Sequence, residues 1–283
     1  MNIPVNREYK VTAKELLIEI ERRSTAGEKP LKGLILSSPG NPTGAMFKAE
    51  ELKDLCLVCE QKGILFISDE IYHGISYRDD DELQGMSTST SSGEQLYKPR
   101  SREPTALQFL ENSIVINSFS KYFSMTGWRL GWMVVPLSLV DAMNRLSQNL
   151  YINAPTLSQM AACHAFDPEC EEELDRHVEK YAVNRNIVLE TLRELEIDGN
   201  ASPADGAFYV YVDLSEAGVS DSTALCKRLL EETGVALTSG VDFEDPSSHL
   251  GDVRVRFSYS RNTGEVREGM RRFKAWWTEH MKK

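Results

Sequence analysis

Fourteen residues constrain this chain more than any other stretch: Ser118-Phe-Ser-Lys-Tyr-Phe-Ser-Met-Thr-Gly-Trp-Arg-Leu-Gly131. The apolar run Ile114-Val-Ile116 enters it and the apolar run Trp132-Met-Val-Val135 leaves it. The pattern predicts a strand, a polar loop and a second strand, with Lys121 held at the edge of a sheet. Loops between strands ordinarily carry turn residues, so a long cation there has to be accounted for. Ser118 and Ser120 flank it, and Arg129 follows eight residues later. Two hydroxyls and a guanidinium suit a phosphate group, because arginine makes bidentate, charge-assisted hydrogen bonds to oxyanions. An amine beside such a group points to a Schiff base with a phosphorylated aldehyde. Taken alone, Lys121 reads rather as a lysine that solvates a strand connection; the other motifs of the chain shift the balance to function.

Two further apolar runs end in chemistry. Gly33-Leu-Ile-Leu-Ser37 reads as a buried parallel strand and opens into Ser38-Pro-Gly-Asn-Pro-Thr-Gly44, a Pro/Gly turn that holds the Asn41 amide on stiff backbone. The peptide bond before Pro42 is a candidate for the cis form. Ile64-Leu-Phe-Ile-Ser68 reads as the next strand, with Asp69-Glu-Ile-Tyr72 at its carboxyl end, where open parallel sheets bind ligands. A lone Asp69 there is also a helix cap. Near the C-terminus, Arg254 and Arg256 stand one strand period apart in Val253-Arg-Val-Arg-Phe-Ser-Tyr-Ser260 and so share a face; either can fork onto a carboxylate.

Between these runs the chain predicts helices over residues 12–27, with Thr12 as cap and Leu16, Leu17 and Ile20 on one face, and over 48–61, stopped by Gly63. Cys56 and Cys59 form a Cys-x-x-Cys pair, but they fall with Leu52 and Leu55 on one helical face, and no second Cys or His pair accompanies them; they read as core. Residues 79–112 are polar and of low complexity and read as an inserted surface loop. Helices follow over 138–146, 158–166 and 171–195. The C-terminal part alternates strand 208–213, helix 223–233, strands 235–238 and 253–260, and helix 265–281. Trp276 and Trp277 read as helix packing.

The formal net charge of −11 disfavours nucleic acid and anionic membranes as partners. No apolar run reaches the length of a membrane span, the first residues show no secretory or transit character, and five cysteines without framework spacing suit a reducing compartment. The expected location is the cytoplasm.

With these motifs in hand, Ser118-Phe-Ser-Lys121 through Arg129 resembles the cofactor-lysine signature of the class I/II aminotransferases, pyridoxal 5'-phosphate (PLP) enzymes of fold type I. Asn41-Pro-Thr-Gly44, Asp69 with Tyr72 three residues on, and Arg256-Phe-Ser-Tyr-Ser260 occur in the order the family pattern calls for. The resemblance implies an α/β fold: a mostly parallel sheet with flanking helices in residues 1–170, and an interdomain helix with a smaller α+β domain in residues 171–283. It implies that Lys121 carries PLP as a Schiff base and moves a proton during amino transfer between an L-amino acid and a 2-oxo acid. By the same resemblance Asp69 pairs with the pyridine nitrogen and Asn41 and Tyr72 hold the phenolic oxygen. Ser118, Ser120 and Arg129 hold the phosphate, and Arg256, with Asn41, holds the substrate carboxylate. No metal is implied. A dimer active in amino-acid metabolism, or pairing with a fuller homologue, is the expected assembly. The resemblance also implies roughly a hundred residues or more ahead of this segment, a substantial piece by domain standards. These carry a glycine-rich phosphate turn, an aromatic ring over the cofactor and several strands, so the sheet here is expected to be N-terminally incomplete. Two rival readings accompany the aminotransferase: a PLP-dependent C–S lyase, and a non-catalytic paralogue that pairs with a complete enzyme.

Overall fold

Thr12 opens the first helix with a capping box: its hydroxyl accepts the Glu15 N–H at 3.2 Å and its own N–H donates to the Glu15 carboxylate at 2.6 Å. Helix α1 (Ala13–Thr25) starts there. The computed structural model of the chain describes residues 9–77 and 103–281. Strands β1 (Gly33–Ser37), β2 (Leu65–Asp69), β3 (Ile114–Ser118) and β4 (Gly131–Val134) form one sheet in that order. The first three run parallel and β4 returns antiparallel to β3, so the Lys121 loop is the turn between them, as the flanking apolar runs predict. Helix α2 (Ala49–Lys62) links β1 to β2 and stops at Gly63, whose φ of 63° suits glycine.

One face of this sheet is a core. Leu34, Leu36, Phe66 and Val115 pack with Leu16 of α1 and with Leu52, Leu55, Cys56 and Cys59 of α2. Burial pushes the Cys56 thiol up to about 12 and the Cys59 thiol up to about 11, so neither supplies a reactive thiolate; both are core residues. The other face departs from the expectation of a strand buried on both sides: Ile35 of β1 is 71% exposed, and β4 exposes Trp132, Met133 and Val134. The inserted loop is also shorter than its composition indicates. Residues 78–102 lie outside the described residues. Residues 103–112 belong to the body of the protein, because Ala106 and Leu110 sit in the core and Thr105 and Ala106 bond Glu70.

Helices α3 (Val140–Leu150) and α4 (Thr156–Ala162) lead to the long α5 (Pro168–Glu194). A second sheet follows, with antiparallel order β5 (Tyr209–Asp213), β7 (Arg254–Ser258), β6 (Thr238–Ser239), packed by α6 (Ser222–Thr233) and α7 (Thr263–His280). Trp276 and Trp277 are buried in that core as expected. The predicted strand over 235–238 is reduced to β6. The reason is local: Gly234 turns into the left-handed region, Thr233 captures the Val235 N–H, and the ladder to Arg256 opens only at Thr238.

The two sheets are stitched together by the loop before β5. Gly206 N–H donates to the Gly44 carbonyl at 2.8 Å, Ala207 N–H to Ile75 at 2.9 Å, and Tyr77 N–H to Asp205 at 2.9 Å. A Cβ on Gly206 would stand 2.6 Å from both Met46 Sδ and Pro39 Cγ. Gly206→Ala is therefore expected to cost about 1–3 kcal/mol by overpacking, read from the urea midpoint at unchanged slope.

Candidate active site

The carboxyl ends of β1, β2 and β3 lie in register, Ser37 beside Asp69 and Asp69 beside Ile116, so the loops that follow converge at one sheet edge. The first loop carries Asn41, with cis peptide bonds before Pro39 and Pro42. The second carries Tyr72 and the third Lys121. Opposite them, β5 and β7 contribute Tyr209 and Arg256.

Lys121 Nζ lies 5.2 Å from the centre of the Tyr72 ring and 5.9 Å from that of Phe208. Burial pulls its ammonium below the ordinary lysine range, and the Arg256 and Arg129 guanidinium charges pull it further; the Asp69 carboxylate opposes them. The result is a partly desolvated amine with a raised neutral fraction near neutrality, the state a nucleophilic lysine needs. Burial likewise pushes Asp69 above the usual carboxylate range, against a hydrogen bond from the Ile71 N–H at 3.3 Å. A protonated ring nitrogen placed against it would hold it ionised. The Tyr72 hydroxyl is raised by burial and shares a 2.9 Å hydrogen bond with the Tyr209 hydroxyl.

Arg256 donates through Nη1 to Asn41 Oδ1 at 2.7 Å and through Nη2 to Thr238 Oγ1 at 3.3 Å. Its guanidinium lies 4.4 Å from the centre of the Tyr209 ring and 4.7 Å from that of Phe243. Its Nε is buried with no hydrogen-bond partner among the described residues. Arg254, the competing candidate, is occupied: it pairs with Asp213 at 3.1 Å and Glu244 at 2.7 Å. Alternation put both arginines on one face; the acidic partners distinguish them.

The predicted phosphate residues sit together in the β3–β4 turn. Ser118 Oγ accepts the Ser120 N–H at 3.0 Å. Arg129 takes a left-handed backbone, φ 53°, and donates to the Thr126 carbonyl at 3.0 Å with its guanidinium exposed. Five predicted residues thus converge around the pocket (Asn41, Asp69, Tyr72, Lys121, Arg256), and three line the turn beside it.

Beneath Asp69, Glu70 is buried and its Oε1 accepts from Ser68 Oγ, Thr105 Oγ1 and Ala106 N–H at 2.9, 2.9 and 3.0 Å. It fastens the chain at 105–106 to the Asp69–Tyr72 loop. Glu70→Ala leaves three donors without their acceptor, and a loss of about 1–3 kcal/mol is expected in thermal denaturation.

This edge can bind an anion-bearing aromatic ring near a nucleophilic amine and a carboxylate near an arginine. The whole chain points the same way: residues 1–273 match the family described as "Aminotransferase class I and II". The chain belongs to the class I and II aminotransferases. Among relatives of this aminotransferase chain, a valine–pyruvate aminotransferase of Mycobacterium tuberculosis is 41% identical over 249 residues, covering 88% of this chain and 58% of the relative. A (5-formylfuran-3-yl)methyl phosphate transaminase of Methanocaldococcus jannaschii is 32% identical, covering 90% of this chain and 60% of its own length. A crystal structure of an aminotransferase from Mycobacterium tuberculosis superposes with a TM-score of 0.82 at 38% identity, covering 98% of this chain and 64% of that one. The chain therefore spans about three-fifths of the length of the relatives it matches. The fold is fold type I, a mostly parallel sheet with flanking helices.

Phe208, Tyr209, Thr238 and Phe243 were not among the residues read from the sequence. Phe208, Tyr209 and Thr238 fall in predicted strands and Phe243 in none, and nothing local in the sequence singles them out until the second sheet is placed against the first.

Proposed function

We propose that this aminotransferase-family chain carries out PLP-dependent transfer of an amino group between an L-amino acid and a 2-oxo acid. The observation that carries the reading is Lys121: a half-buried amine, depressed by its surroundings, between an aromatic wall and the Arg256 guanidinium. PLP, when bound, supplies the electron sink for the charge that develops at the substrate Cα. The protein residues do the rest. Asp69 holds a proton on the ring nitrogen. Asn41 and Tyr72 direct hydrogen bonds to the phenolic oxygen, and Ser118, Ser120 and Arg129 hold the phosphate. Arg256 would grip the α-carboxylate and so orient the Cα–H bond, while the Lys121 amine would take that proton and return it. The residues 1–170 then form the cofactor domain and 171–283 the domain that brings the carboxylate clamp.

The relative acting on valine and pyruvate supplies the first pair to assay. Purified chain with PLP and L-valine is expected to release the corresponding 2-oxo acid in proportion to loss of the cofactor's visible band, and pyruvate to restore the band. Release of a thiol, ammonia and pyruvate from an S-substituted cysteine, with no 2-oxo acid acceptor and the visible band retained, would instead identify a C–S lyase.

A second reading rests on a separate observation. Trp132, Met133 and Val134 of β4, Leu146 and Leu150 of α3, and Ile152, Leu157 and Met160 beyond it are all exposed. Exposed apolar residues on an edge strand and on helix faces of this kind mark a surface for contact with further polypeptide. We infer a homodimer or a pairing with a fuller homologue, measured by light scattering of the purified chain; a monodisperse monomer contradicts it. Among the described residues no helix is long and apolar enough to cross a membrane.

A further inference from the structure

Tyr209 touches both halves of the site through different parts of one side chain. Its hydroxyl meets the Tyr72 hydroxyl at 2.9 Å, and its ring lies 4.4 Å under the Arg256 guanidinium. Tyr72 follows β2 of the first sheet, whereas Arg256 and Tyr209 are diagonal neighbours on the second, where Tyr209 pairs with Ser258 and Tyr211 with Arg256. Tyr209 is buried in a cluster with Tyr72, Ile75, Tyr122 and Leu174, so its position is set by packing between the two sheets rather than by solvent. The other contacts of Arg256 do not reproduce this link: Phe243 lies 4.7 Å from the guanidinium, and Asn41 and Thr238 take its Nη atoms.

We propose that Tyr209 is a positioning residue that sets the carboxylate-binding arginine and the cofactor-side tyrosine in fixed relation across the two sheets. The inference rests on the reading of Arg256 and Tyr72 given above. The ring supports the guanidinium by cation–π attraction and so fixes where its Nη atoms sit beside Asn41 and Thr238. The hydroxyl couples that arrangement to Tyr72, so a shift of one sheet against the other changes both contacts together.

Phenylglyoxal modification of Arg256, followed by peptide mapping of the full-length chain without added cofactor, separates the two parts of the side chain. Tyr209→Leu removes both and is expected to speed Arg256 modification roughly tenfold, the scale of a desolvated cation–π contact. Tyr209→Phe and Tyr72→Phe each remove the same hydroxyl pair and are expected to give the same small acceleration. The double variant is expected to exceed neither, because non-additivity marks a shared contact. Addition of PLP and L-valine then extends the test: Tyr209→Leu is expected to raise the KM for amino acid and 2-oxo acid alike, with a smaller change in kcat. A wild-type modification rate in Tyr209→Leu, or additive effects of Tyr72→Phe and Tyr209→Phe, overturns the inference. Failure of the wild-type chain to take up PLP overturns the cofactor reading instead, and leaves the modification rates to decide the role of Tyr209.

Discussion

Lys121→Ala is expected to abolish covalent capture of PLP and to lower amino transfer by roughly 10⁴-fold or more, since it removes both the attachment point and the proton carrier. The fold should survive: Lys121 is only half-buried, its side chain belongs to no core cluster, and the neighbouring turn is held by backbone bonds, among them Ser124 N–H to Lys121 C=O at 3.0 Å. Equal thermal midpoints for the variant and the parent therefore separate loss of chemistry from loss of structure. The pH dependence has a definite sign. Because the Lys121 ammonium is lowered, its neutral fraction at a given pH exceeds that of surface lysines, so the selectivity of labelling for Lys121 is expected to increase as pH falls from alkaline toward neutral.

Arg256→Leu has the second largest expected effect. It removes the carboxylate fork and leaves the Asn41 amide oxygen without its 2.7 Å donor. Truncating one partner of a buried, hydrogen-bonded charge pair costs about 2–5 kcal/mol, which corresponds to a fall of roughly thirtyfold to several thousandfold in kcat/KM. The loss should fall on every amino acid and 2-oxo acid, since all carry the same carboxylate. Arg254→Leu provides the contrast. It strips Asp213 and Glu244 of their cation, so its expected signature is a lowered thermal midpoint with carboxylate affinity retained. Interchanged results for the two arginines would show that the clamp had been assigned to the wrong residue.

Asn41, Asp69, Tyr72 and Lys121 were legible in the sequence for one physical reason. Each follows a short apolar run, and a parallel strand delivers whatever follows it to the carboxyl edge of the sheet. A single chain-local pattern therefore stated both residue type and place. Arg254 and Arg256 mark the limit of that logic. Strand alternation assigns them to one face and cannot choose, because the choice depends on Asp213 of β5 and Glu244 of a loop, brought near by tertiary packing. Tyr209 and Phe243 were unreadable on the same ground. Tyr209 acts across the boundary between sheets, where an aromatic strand residue looks alike whether it fills a core or carries a guanidinium, and Phe243 reaches Arg256 from a loop only through tertiary packing.

The fold shows a parallel lesson in Ile35 and β4. An apolar run predicts a strand but not which of its faces is covered, so Gly33–Ser37 reads as buried while Ile35 stands 71% exposed. Composition misplaced the end of the polar insertion for the opposite reason. Residues 103–112 look like loop, yet Glu70, buried beneath the site, binds Thr105 and Ala106, and Ala106 and Leu110 then complete the core.

The measurement that tests the central claim most directly is borohydride reduction of the purified chain with PLP, followed by mapping of the pyridoxyl-labelled peptide. The account predicts a visible absorbance band before reduction and stoichiometric label on Lys121, in the peptide that spans the β3–β4 turn. No band, or label scattered over exposed lysines with Lys121 unmodified, would contradict the claim that this chain holds the cofactor through that residue.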